Sequence, residues 1–351
     1  MISNITKKLI IIAIVGFIFA NVTISATQSE ELLFEGLPPS GDQYYTACLE
    51  CSNVDGYPGA ELVITDDFGA FQILAWDPET RSFSENWFSD RVFELNRVKK
   101  IFLPYNCAKD ESFIVFIDTA DDLRIFHWRE YIVTEIGLIH LSSLRNYSLI
   151  SDFLIADFLP KISGWELLTF QTYFKTFNRK DYSIGLLNAG QFNPGFTSIK
   201  TSTFLGLKSN SKLFLDHHKC PYPHGVVVVS KSNESGNVYT IFWTKDPLVT
   251  LRQSKINLDK RAKIGWIGEI DNSGNSYLTC FIRSEDKNSR IQFHKIARET
   301  SLAFEVEVPL NTSKWVLGDI DGDGMRELIV LDFLGKLYVY DLKDNFRETA
   351  K

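Results

Sequence analysis

"SKWVLGDIDGDGMRELIVLDFLGKLYVYD" occupies residues 313–341. A short apolar run comes first. A loop follows with aspartates at the alternate positions Asp319, Asp321 and Asp323, spaced by glycines. Two runs rich in β-branched and aromatic residues close the stretch, joined across "DFLG". Apolar runs bounded by Gly, Asn and Asp turns are strands and hairpins. The order is strand, acidic loop, strand, turn, strand.

The same order recurs along the chain, and self-similarity at a fixed period decides a fold before any local detail does. "YTACLECSNVDGYPGAELVITDDFGAFQILAWD" begins at Tyr45, "KKIFLPYNCAKDESFIVFIDTADDLRIFHW" at Lys99 and "DFLIADFLPKISGWELLTFQ" at Asp152. "KLFLDHHKCPYPHGVVVVSK" begins at Lys212 and "AKIGWIGEIDNSGNSYLTCFIR" at Ala262. The loop anchors Asn53, Asn106, Asp157, Asp216, Glu269 and Asp319 are spaced by 53, 51, 59, 53 and 50 residues. Units close on alternating aromatic runs: "FQILAW", "LRIFHW", "YTIFWT", "IQFHKI" and "KLYVYD".

Units of about 50 residues with three or four antiparallel strands, and no long amphipathic helix, predict an all-β, six-bladed β-propeller. Seven blades is the alternative count, and a double β-sandwich the alternative architecture. The last unit has three strands, near residues 315–317, 328–331 and 337–340, and only a polar tail after them. An orphan apolar segment, "ELLFEGLP", precedes the first unit. The segment from Leu32 to Phe34 is therefore expected to add the outer strand of the last blade, closing the ring and covering an open edge.

The stretch "GDIDGDGMRELIVLDFLGKLYVYD" resembles the FG-GAP/VCBS repeat of integrin-α-type propellers, which reads D-x-D-G-D-G-x-x-D/E followed by apolar strands. The last unit matches closely and the other five are degenerate; by repeat spacing the resemblance spans nearly the whole chain after its leader. It implies one structural Ca²⁺ held by Asp319, Asp321, Asp323, the Met325 carbonyl and Glu327. The chemistry agrees. Ca²⁺ takes six to eight oxygens at about 2.3–2.6 Å, often from carboxylates at alternate loop positions with glycine at the sharp turn. The flanking strands exclude an EF-hand. The first unit keeps Asn53, Asp55 and Glu61 but has Tyr57 for the third acid; the fifth keeps Glu269 and Asp271 but has Ser273 and Tyr277. Both are expected to bind weakly or not at all.

The chain has 351 residues and a formal net charge of −7. Lys7 and Lys8 precede the apolar run of residues 9–20, and small residues follow to Ala26. This is the pattern of a secretory signal over residues 1–26, leaving residues 27–351 as a single propeller domain with no membrane span. An uncleaved anchor is the alternative. Losing both lysines moves the charge to about −9, which disfavours nucleic acid and anionic membranes. The expected location is extracellular or in the endomembrane lumen.

Five cysteines fit an oxidising compartment. Cys280, within "YLTCFI", is expected to be a buried free thiol. Two disulfides are expected among Cys48, Cys51, Cys107 and Cys220, and Cys48-x-x-Cys51 is taken as structural, since redox use needs a βαβ setting. Sequons begin at Asn146, Asn233 and Asn311. "DHHKCPYPHG" gathers Asp216, His217, His218, Cys220 and His224, but adjacent strand residues face opposite ways and the spacing fits no zinc motif. Trp87, Trp165 and Trp266 are either ligand-stacking rings or blade packing.

Sialidase-type boxes, a G-x-S-x-G elbow and H-E-x-x-H are all missing from the sequence. The expected function is that of a non-enzymatic module binding a protein or a glycan. The alternatives are a carbohydrate-active lyase or hydrolase using acidic face residues, and a luminal structural subunit of a complex.

Overall fold

The computed structural model describes residues 31–347 apart from 37–45, 55–57, 68, 90–96, 104, 107–110, 121, 130–131, 141–148, 157–165, 178–179, 192–196, 206–211, 217–224, 232–237, 245–251, 260, 272, 285–287 and 297–299. These residues are almost entirely strand and form six antiparallel sheets. The first sheet holds β2 (Thr46–Ser52), β3 (Glu61–Asp66), β4 (Phe71–Asp77) and β5 (Ser82–Ser89). The second holds β6 (Val98–Phe102), β8 (Glu111–Asp118), β9 (Asp122–Arg129) and β10 (Ile132–His140), with the short β7 (Tyr105–Asn106) beside β8.

The third sheet comprises β11 (Leu149–Ala156), β12 (Glu166–Phe177), β13 (Lys180–Gln191) and β14 (Thr197–Leu205). The fourth comprises β15 (Lys212–Asp216), β16 (Gly225–Lys231), β17 (Val238–Thr244) and β18 (Arg252–Asn257). The fifth is β19 (Lys263–Glu269), β20 (Ser276–Ile282), β21 (Asn288–Lys295) and β22 (Ser301–Pro309). The sixth joins both ends of the described chain: β23 (Thr312–Gly318), β24 (Glu327–Asp332), β25 (Leu337–Asp341) and, as its fourth strand, β1 (Glu31–Gly36).

The aromatic runs expected to close each unit are instead third strands: four lie in β4, β9, β17 and β25, and "IQFHKI" lies along β21. A fourth strand follows in the first, second, fourth and fifth sheets, more polar than the third in the first and fourth. Such strands escape notice because they sit at a sheet edge with one ladder side unpaired, so their apolar alternation is weak; β22 is mostly exposed along its first half. After β25 the tail opens with one short helix, α1 (Lys343–Arg347), anchored by the fully buried Leu342. No helix among the described residues is long and apolar enough to cross a membrane.

Continuous apolar strands arise here because both faces of a sheet are covered. Leu62 and Ile64 of β3 join one cluster with residues of the fifth and sixth sheets, while Val63 between them joins another with the second sheet. Side chains alternate at period two, so "ELVITD" serves two neighbours at once. Trp266 and Tyr277 likewise face the sixth sheet, and Ile267, Leu278 and Cys280 face the fourth. Leu328, Ile329, Val330 and Leu331 of β24 are all fully buried, each worth about 1.5–3 kcal/mol relative to exposure.

The first strands of the sheets lie side by side: β2 with β6, β11 with β15, β15 with β19, β19 with β23, and β23 with β2. Ring systems pack these seams closely. Trp315 of β23 lies against Gly265 of β19, where a Cβ would come within 2.8 Å of Trp315 Nε1. That nitrogen donates to Thr279 Oγ1 at 3.1 Å. Phe71 of the first sheet meets Phe116 of the second at 4.9 Å between centroids.

Candidate functional site

Residues 319–326 connect β23 to β24, whose ladder ends at the Gly318–Glu327 pair. Two aspartates shape the turn by accepting from backbone two residues ahead, a preference of short acidic side chains. Asp323 N–H donates to Asp321 Oδ1 at 3.1 Å, and Met325 N–H to Asp323 Oδ1 at 2.8 Å. Ile320 turns inward, 3% exposed, and pins the loop to the core. Its N–H donates to Glu327 Oε2 at 3.0 Å.

The carboxylates of Asp319, Asp321 and Glu327 converge, with one ligand atom from each within 4.8 Å of the others. Two oxygens that share an ion at about 2.4 Å are at most about 4.8 Å apart, so this spread fits a Ca²⁺ shell. Glu327 is fully buried, and its Oε1 has no hydrogen-bond partner. Burial, and after it the charge of Asp321, pushes the Glu327 carboxyl up to about 9, partly opposed by Ile320 N–H. A buried, half-satisfied carboxylate beside two others is a group that a cation would complete.

Asp323 takes a different partner from the one expected. Its Oδ2 lies 2.6 Å from Lys343 Nζ, which is also 3.3 Å from Asp321 Oδ2 and 3.5 Å from Asp341 Oδ2. Burial alone would raise the Asp323 pKa; Lys343 and Met325 N–H bring it below the ordinary value. Burial also works against the Lys343 charge, but the bond to Asp323 and the charges of Asp321 and Asp341 outweigh it, raising the lysine pKa. Met325 enters through its N–H. The structure thus gathers three of the expected acidic ligands and turns the fourth toward a lysine.

Two degenerate copies show what the last one retains. In the first sheet Val54 N–H donates to Glu61 Oε2 at 2.6 Å, the same seven-residue arrangement as Ile320 and Glu327. Asp55 and Tyr57 lie outside the described residues. In the fifth, Tyr277 pairs with Gly268 as Glu327 pairs with Gly318, replacing the buried acid by a phenol that burial and Asp271 push up to about 12. There Glu269 accepts from Gly274 N–H, and Asp271 Oδ1 accepts from Ser273 N–H at 3.3 Å and Ser273 Oγ at 2.6 Å. Those carboxylates are served by their own loop. Of the other anchors, Asn106 is in β7, Asp216 ends β15 and Asp157 is outside the described residues.

The acidic loop also bridges its neighbours. Arg326 N–H donates to Ile270 O at 3.0 Å, and Ala60 N–H to Asp319 O at 2.8 Å, so successive loops are tied across both seams. The Arg326 guanidinium lies 5.6 Å from the Trp266 ring centre. Burial lowers its pKa against the pull of Cys51, Asp319, Glu269 and Glu327. Gly322, at φ 74°, leaves room for Gly59 N, which a Cβ would approach to 3.0 Å. Sequence reasoning misses the parts played here by Arg326, Lys343 and Gly318. Their roles depend on segments far along the chain, and no local spacing marks them.

The Cys48-x-x-Cys51 reading needs correction. Both thiols are free. Cys48 faces the cluster shared with the second sheet, and Cys51 packs on the cluster shared with the sixth. Three positions apart on a strand means opposite faces, so no bond can join them. Burial raises the Cys48 thiol to about 12, far from a reactive thiolate. Cys280 is a free, fully buried thiol in β20. Cys107 and Cys220 lie outside the described residues, as do His217, His218 and His224.

Trp266 is a core residue, and Trp87 packs against Phe71 at 4.9 Å and Trp128 at 6.2 Å, so both serve inter-sheet packing. Trp165 and the sequons at Asn146 and Asn233 fall outside the described residues. At the third sequon, Asn311 Nδ2 donates to Asp332 Oδ2 at 2.9 Å.

No protein-family model matches this sequence, and no curated protein matches it. Solved structures do resemble it in fold. A crystal structure of BBS1N in complex with ARL6DN, soaked with lead, aligns at 11% identity over 88% of this chain and 96% of that chain, with a TM-score of 0.51. A crystal structure of a triple arginine-to-alanine mutant of AofleA from Arthrobotrys oligospora aligns at 9% identity over 85% and 83%, with a TM-score of 0.47. One of the Mitotic Checkpoint Complex aligns at 10% identity over 87% and 93%, with a TM-score of 0.46. The chain has a β-propeller-like all-β fold.

Proposed function

We propose that this chain is a secreted, non-enzymatic six-bladed propeller that binds a protein or a glycan, with one Ca²⁺ bracing the seam where its ring closes. Each sheet is one blade, and β1 completes the last. The support for closure is that β23 lies beside β2 and that β1 pairs with β25, Leu32 opposite Tyr340 and Phe34 opposite Val339. The acidic loop is then the one well-kept copy of an FG-GAP-type repeat whose other copies have diverged. BBS1N was crystallised in complex with ARL6DN, which makes a protein partner the first to test.

The observation that carries the functional reading is where the acidic loop sits. Its carboxylates lie at the junction of the last and first sheets, tied to the first by Asp319 O and Gly322. Residues so placed brace a scaffold. When bound, the ion would be held by Asp319, Asp321 and Glu327, with Asp323 and the Met325 carbonyl joining them, and would neutralise the buried Glu327.

Two measurements test this. Purified mature protein is screened by pull-down and on a glycan array; a saturable, specific ligand is expected, and turnover of a captured glycan would instead indicate an enzyme. Calcium is tested by melting. An ion at a hundredfold excess over Kd adds about 2.7 kcal/mol, so chelator should lower the melting temperature. Asp321→Ala should abolish that difference, and Asp55→Ala should leave it intact. Glu327→Gln keeps an acceptor for Ile320 N–H and removes the carboxylate the ion would use, so it should abolish the calcium increment without lowering stability in chelator. A melting curve unmoved by chelator, with no calcium found by elemental analysis, would leave the loop as a turn only.

A further inference from the structure

Lys343 and a metal ion would draw on the same carboxylates. Asp321 belongs both to the convergent trio and to the lysine's set. Asp323 is held by Lys343 at Oδ2 and by Met325 N–H at Oδ1. The convergence itself is not a matter of loose surface acids, because Glu327 is fully buried with Oε1 unpartnered beside Asp319 and Asp321.

We infer that Lys343 is a built-in competitor for the divalent cation, and that the loop exchanges one for the other, breaking the lysine's link between α1 and the loop. The inference rests on the calcium reading above. A Ca²⁺ ion needs six to eight oxygens, and using Asp323 Oδ2 and Asp321 Oδ2 among them sets the ion against Nζ for the same atoms. Two positive groups on one carboxylate also repel each other at short range. The ammonium is then left with Asp341 Oδ2 at 3.5 Å.

The mechanical consequence follows from what flanks the lysine. Leu342 is fully buried and stays in the core. Beyond it α1 is five residues long, too short to hold itself as an isolated helix. Its ties at the start include Lys343 N–H to Asp341 Oδ1 at 2.7 Å and Asn345 N–H to Leu342 O at 3.1 Å. The Lys343 side chain links this helix to the acidic loop. Calcium therefore removes one link to the C-terminal segment while it tightens the loop.

The test titrates calcium chloride into the mature wild-type protein and its Lys343→Met and Lys343→Arg variants by calorimetry, and follows hydrogen exchange over residues 343–347. A hydrogen bond between charged groups is worth on the order of 1 kcal/mol or more. Lys343→Met should thus bind calcium about fivefold to tenfold more tightly, and Lys343→Arg close to wild type. In the wild type, calcium should speed exchange at 343–347. Binding by Lys343→Met alone would also support the exchange. Equal affinities for wild type and Lys343→Met would overturn the exchange and leave the calcium site standing. No binding by any of the three would overturn the calcium site and the exchange together.

Discussion

Gly318→Ala should lower the stability of this protein by about 3 kcal/mol, the upper end for overpacking a tight contact. A methyl at that position would overlap Cys51 Sγ and lie 2.9 Å from Cys51 Cβ. The sulfur alone could rotate away, but the Cβ is fixed to its strand, so relief requires β2 and β23 to separate. These strands belong to the first and last sheets, and the cost would fall on the seam between them. Scanning calorimetry should show a melting temperature lower by roughly 5–10 °C. A Cys51→Ala background removes the sulfur and keeps the Cβ, so it should absorb about 1 kcal/mol of the penalty in a double-mutant cycle. Additive costs for the two substitutions would mean that Gly318 and Cys51 do not touch.

Phe34→Ala should cost nearly as much, about 2–3 kcal/mol. Its backbone pairs with Val339 in the sixth sheet, but its ring packs edge-on against Trp76 at 6.1 Å and Phe83 at 5.5 Å in the first. A fully buried Phe→Ala change costs about 3–5 kcal/mol; Phe34 is only half-buried, and its aromatic pairs add about 0.5–1.5 kcal/mol each. The exposed Glu31–Arg81 pair across the same junction, at 2.8 Å, contributes little in water. Deleting residues 31–36 should do more than the point change, because it bares the β25 edge and invites association. A Phe34→Ala protein that melts within a degree of wild type, or a deletion that stays monomeric and fully stable, would show that β1 does not hold the two sheets together.

What this sequence determined by itself is local and repeated. The recurrence near 50 residues, the inner strand runs of most units and the acidic turn at residues 319–327 could be read because they depend on period-two alternation and turn chemistry within a few residues, whereas the outer fourth strands could not. The spare strand at Leu32–Phe34 was readable too, as a shortage at one end of the chain matched by a surplus at the other. Tertiary structure decided the rest. Cys48 and Cys51 share a strand, yet belong to different inter-sheet clusters, because each face of β2 meets a different neighbour. Asp323 faces Lys343 because α1 folds back beside the loop. Gly318 must be small because Cys51 stands opposite it. Alternation fixes which residues share a face, since that follows from the backbone of one strand. Which distant segment covers that face, and which charge meets which, is set only when separate sheets pack together and bring unrelated parts of the chain within a few ångströms.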